Sequence, residues 1–156
     1  MKVLILILTS LLFLTCQSSN MSQERISTSA FRLKPGEDLK EGIEKIVTEK
    51  NIKAGWISTC VGSLLNYSIR FANQQDASKG EGYFEIVSLV GTVSTSGSHL
   101  HISISDSTGK TVGGHLLQGC KIYTTAEIVL LATDKYNFTR EKDGTTPWEE
   151  LQVKEN

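Results

Sequence analysis

The feature that most restricts this chain is the alternation Ser98-His99-Leu100-His101-Ile102-Ser103-Ile104-Ser105-Asp106. Side chains of an extended strand point alternately to opposite faces, so Leu100, Ile102 and Ile104 fall on one side. His99, His101, Ser103 and Ser105 fall on the other. Ser107-Thr108-Gly109 follows, then Lys110-Thr111-Val112-Gly113-Gly114-His115-Leu116-Leu117. A three-residue hairpin loop is usually a type I turn closed by a residue in the left-handed region, which favours glycine in third place. With Gly109 there, Asp106 pairs with Lys110, and counting back sets His101 opposite His115. A two-residue loop of Thr108 and Gly109 would set Ile102 opposite His115 and turn that ring to the other face. Gly109 favours the first register.

His99, His101 and His115 are all the histidines of the chain. In the favoured register they converge on one patch. Three neutral imidazoles with an open fourth position suit zinc, and other borderline divalent metals nearly as well. The competing reading is a polar strand face that holds histidines in solvent or at a subunit contact.

His-Leu-His-Ile-Ser-Ile-Ser-Asp at 99–106, Gly-Gly-His-Leu-Leu-Gln-Gly-Cys at 113–120 and Tyr-Thr-Thr-Ala-Glu-Ile-Val at 123–129 resemble the plants-and-prokaryotes conserved domain, PPC or PCC. Gly62-Ser63-Leu64 and the run from Phe84 to Thr92 resemble that family's other blocks. The resemblance covers about residues 25 to 140. It implies a compact α/β (α+β) domain, a mostly antiparallel sheet packed by one or two helices, commonly assembled as a homotrimer. It also implies a metal held by the His-x-His pair and the histidine of Gly-Gly-His, which are His99, His101 and His115 here. In plants the same domain follows AT-hook motifs and is tied to DNA-binding regulators. A distant architectural likeness to acetolactate decarboxylase, with its three-histidine zinc site, suggests a lyase or hydrolase by analogy alone.

The 156 residues suffice for one domain with a real core. A formal charge of −1 argues against a sequence-independent grip on nucleic acid, which needs a basic footprint. Residues 1–20 stand apart. Met1-Lys2 precedes an apolar run from Val3 to Leu14, too short for a comfortable membrane span and of the length of a secretory signal. Phe13-Leu14-Thr15-Cys16 loosely resembles a lipoprotein box, with Cys16 as the lipid attachment point and an exported, envelope-tethered product. The alternative is a start at Met21 and a cytoplasmic protein. Residues 25–142 are then the domain and 143–156 a polar tail on which Trp148 docks.

Arg25 to Leu33 alternates as a strand, stopped by Pro35-Gly36. Asp38 is placed to cap a helix to about Lys50, with Leu39, Ile43, Ile46 and Val47 as its apolar stripe. Ala54 to Cys60 and Tyr67 to Ala72 are strand segments, with Gly62 between them as a bend or bulge and Trp56 and Ile57 as core candidates. Asn73 to Gly82 is a polar loop and Tyr83 to Val93 a further strand. Ile128-Val129-Leu130-Leu131 has the continuous apolar character of a buried central strand, and Tyr136 to Arg140 is a last one.

Cys60 and Cys120 lie in apolar, β-like settings that suit buried thiols, the alternative in an exported protein being a disulfide between them. No Ser-His-Asp pattern, reactive cysteine pair or phosphate loop is present, so catalysis is an open question. An acid or base beside the metal would have to come from Glu85, Glu127 or Arg70, with Glu127 expected inside an apolar strand and neutralised by an arginine. Two functions follow from different classes. One is a metal-binding, trimeric domain that takes a small molecule at the metal; the other is the DNA-binding or regulatory role customary for the family.

Overall fold

The computed structural model describes residues 23–156. The leader at 1–20 and the lipid attachment at Cys16 lie outside them. Eight strands and one helix follow in the order β1 (Ile26–Leu33), α1 (Leu39–Glu49), β2 (Gly55–Arg70), β3 (Ser78–Ser94), β4 (Gly97–Ser105), β5 (Thr111–Leu116), β6 (Ile122–Thr133), β7 (Tyr136–Glu141) and β8 (Glu150–Glu155).

Helix α1 begins where the sequence places it. The Asp38 carboxylate accepts from the backbone N–H of Lys40 and Glu41, satisfying two donors that the first turn leaves without partners. Its other oxygen accepts from Gly119 N–H at 2.8 Å, so one buried side chain starts the helix and ties it to the turn before β6. Leu39, Ile43 and Val47 are buried, and Ile46 lies half-exposed at the margin of the stripe. Burying each such side chain contributes roughly 1.5–3 kcal/mol.

All ladders of the main sheet are antiparallel, in the order β1-β6-β2-β3-β4-β5. Strand β5 also pairs back onto the end of β2, through Ile69 opposite Leu116 and Arg70 opposite His115. The sheet therefore curls round on itself. Leu64, Ile69, Leu100, Ile104, Ile122, Ile128 and Leu130 fill the core between its concave face and α1. This is the α+β class expected, with a single helix among the described residues.

Several expectations change in detail. The two segments at 54–60 and 67–72 are one long strand, β2, which keeps going through ladder irregularities near Thr59 and near Gly62. The polar loop is shorter than expected, because β3 already begins at Ser78 and pairs Gly80 with Tyr67. Ile57 is buried but Trp56 only half so. Of the Ile128–Leu131 run, Ile128 and Leu130 face the core while Val129 and Leu131 are half-exposed on the outer face, so the strand is one-sided. The segment after residue 143 is more than a tail. Its β8 pairs with β7 along six residues as a separate two-stranded sheet, hung from the main body by Phe138 N–H to the Lys53 carbonyl at 2.9 Å.

Among the described residues Cys60 and Cys120 are free thiols, and both are buried. Burial pushes Cys60 up to about 12 and Cys120 up to about 11, so neither is a thiolate at neutral pH.

Candidate metal centre

The β4–β5 hairpin sets the three imidazoles. Asp106 N–H donates to the Lys110 carbonyl at 3.0 Å, and Gly109 sits at φ +83°, the left-handed position the three-residue loop requires. His101 is consequently opposite His115. Leu100, Ile102 and Ile104 point into the core, which forces His99 and His101 outward together.

Close packing then brings β5 in. A Cβ on Gly114 would lie 2.5 Å from the Arg70 carbonyl oxygen, and one on Gly113 would lie 2.8 Å from that of Ile102. Only side-chain-free residues let β5 wedge between β4 and the end of β2. The Gly-Gly before His115 is thus what delivers that ring.

The resulting geometry is a triangle of nitrogens. His99 Nε2 lies 3.1 Å from His115 Nδ1, His101 Nε2 lies 3.2 Å from His99 Nε2, and His101 Nε2 lies 3.2 Å from His115 Nδ1. The rings of His99 and His115 are stacked at 9°, while His101 stands at 71° and 79° to them. Two nitrogens each about 2.0–2.1 Å from a tetrahedral zinc are separated by about 3.3–3.4 Å, so the triangle needs only a slight opening to accept the ion. The donor set fits too, being three neutral imidazoles with one side of the triangle left open.

The surroundings of His115 and His99 disfavour their charged forms. Burial pulls His115 down to about 4, helped by the positive charge of Arg70 and by the neighbouring His101 and His99. His99 is lowered by burial first, then by Arg140 and His101, with Glu150 acting against them. An imidazole that resists protonation keeps its lone pair for a metal.

Of the acid–base candidates, only Arg70 reaches the site, beside His115 in the β2–β5 ladder. Glu85 and Glu127 are exposed, and neither lines a cleft beside the histidines. Glu127 stands opposite Arg32 across the β1–β6 ladder. Among the described residues it has no ion pair, and the Arg32 guanidinium donates instead to Thr125 Oγ1 at 2.8 Å. On the solvent face of a one-sided strand its charge needs no neutralising.

Sequence reasoning missed Arg140, Trp148 and Glu150. The β7–β8 hairpin and the turn before β8 place all three along a cleft of about 830 Å³ that also borders His99, His115 and Arg70. Nothing in the local sequence pattern links them to the histidines.

An antiparallel, self-closing α+β domain with three imidazoles aimed at one point defines a candidate metal-site protein. The profile of the Plants and Prokaryotes Conserved (PCC) domain matches residues 21–134, and the chain belongs to that family. The bifunctional protein GlmU of two Synechococcus strains is 41% identical over 122 residues. That stretch is 78% of this chain but 19% and 20% of those proteins, so the chain spans about a fifth of their length. A solved structure of a hypothetical protein from Salmonella enterica superposes with a TM-score of 0.82 at 32% identity, covering 85% of this chain and 96% of that one. A structure described as a metal-containing protein from Archaeoglobus fulgidus gives a TM-score of 0.70 at 27% identity, covering 81% and 93%.

Proposed function

We propose that this chain is a divalent-metal-binding, homotrimeric PCC-domain protein. Zinc is the metal its ligand set fits best, and a small molecule occupies the open position. The observation that carries the reading is the nitrogen triangle, with three separations of 3.1–3.2 Å from residues on two adjacent strands. His99, His101 and His115 would hold the ion, and a bound zinc would polarise an oxygen placed in the fourth position. The family resemblance and the metal-containing Archaeoglobus relative support the same reading.

Thermal unfolding tests it. A ligand that binds only the folded state stabilises it by RT ln(1 + [L]/Kd), about 2.7 kcal/mol at a hundredfold excess over Kd. Zinc should raise the melting temperature of the wild-type chain by several degrees and leave His115→Ala unmoved. An equal rise in both would place the metal elsewhere.

The trimer is supported by apolar side chains on the outside of the sheet. Val61, Tyr83, Val87 and Val90 are 56–62% exposed, and Val90 stands directly opposite His101 in the β3–β4 ladder. Sedimentation should give about three times the 17.1 kDa of one chain. A monomer at all concentrations would overturn the assembly.

A further inference from the structure

The cleft beside the histidines has a chemistry of its own. Arg70 comes from the end of β2 and Arg140 from β7, and both line the cleft together with His99 and His115. Neither guanidinium has a carboxylate partner among the described residues. Arg70 donates to the Gln74 carbonyl at 3.3 Å and stacks on the Trp148 ring at 4.8 Å. Arg140 donates to the Glu149 carbonyl. The other cation on the cleft wall, Lys40, is already held by Glu44 at 2.9 Å. The Glu150 side chain is engaged by Thr146 Oγ1 at 2.6 Å. Ala72, Leu117, Pro147 and Trp148 give the cleft an apolar side.

We infer that this cleft binds a small organic carboxylate with an apolar or planar body, held by Arg70 and Arg140 and reaching the open side of the three-histidine site. The inference rests on the metal reading above and names the class of ligand for it. Three neutral imidazoles leave the charge of a divalent ion uncompensated, and because Arg70 and Arg140 are matched in number by Glu149 and Glu150 on the cleft wall, the ion's own charge is the excess. An anion in the fourth position neutralises that excess. A guanidinium offers a carboxylate two parallel N–H donors, and arginine is the residue suited to that recognition. The apolar side and the Trp148 face give the rest of the molecule a place to lie, as ligand pockets usually do. Arg140 and Trp148 lie beyond residues 21–134, so this wall belongs to the part of the chain outside the family match.

The test uses the full chain loaded with cobalt(II), whose visible absorption reports the ligands on the metal, and benzoate as the probe. Benzoate should change the cobalt spectrum of the wild type saturably. Arg70→Met and Arg140→Met should each still form the cobalt spectrum but weaken benzoate at least tenfold, and Arg140→Lys should recover part of the loss. Equal benzoate affinity in wild type and both variants overturns the proposal, as does inorganic phosphate binding more tightly than benzoate. If the wild type forms no cobalt spectrum, the metal reading fails instead. Benzoate is then titrated against the metal-free chain through Trp148 emission, with Trp148→Phe as the control. An Arg70-dependent quench there keeps the anion site, and no quench removes it.

Discussion

His115 carries the most perturbed of the imidazoles, and the cause is its position between two strands and beside Arg70. Held at about 4 in the folded chain against an ordinary 6.5, it binds a proton more readily when the chain is unfolded. Its contribution to stability is therefore complete above about pH 6.5 and is lost as pH falls through the interval down to about 4. The metal-free wild type should show a urea midpoint that declines across that window, and His115→Gln should show a shallower decline. A midpoint equally sensitive to acid in both would contradict this placement. Protons compete with a metal for the same lone pairs, so acid should release the zinc. The three rings were legible because alternation fixes which residues share a face, and Gly109 fixes the register. Arg140, Trp148 and Glu150 were not, since only the docking of a separate hairpin brings them near. Glu127 was misplaced because its apolar neighbours suggested a strand buried on both faces.

Among the elements, α1 was readable from end to end, because a cap and an apolar stripe are local signals. The capping carboxylate also holds the turn before β6, which no local pattern reveals. Asp38→Ala removes an N-cap worth about 0.5–2 kcal/mol and leaves the Gly119 N–H without its partner, a further cost of about 1–3 kcal/mol. A loss of about 2–4 kcal/mol in urea unfolding is expected, and a loss under about 0.5 kcal/mol would show that Asp38 does not bridge helix and turn. Glycine misled the reading of β3. Gly80 and Gly82 suggested a loop, yet Gly80 lies in the ladder where a Cβ would meet the Tyr67 ring at 2.5 Å. The same residue type at Gly114 marks a close strand approach, so glycine signals crowding as readily as a turn.

For the whole molecule, the decisive event is the return of β5 onto the end of β2. It curls the sheet, encloses the core and brings β5 with His115 into line with Arg70. The α+β class followed from the family resemblance, with which one helix pattern and repeated alternation agree, but this long-range closure and the β7–β8 wall depend on contacts far apart in sequence. The account stands on three rings sharing one ion. Its most direct test is the zinc content of the purified chain after equilibration with zinc and removal of the excess, wild type against His101→Ala. The account predicts about one zinc per chain in the wild type and under about a tenth of that in a variant with an unchanged circular dichroism spectrum. A variant that keeps its full complement, or a wild type that holds none, would contradict it.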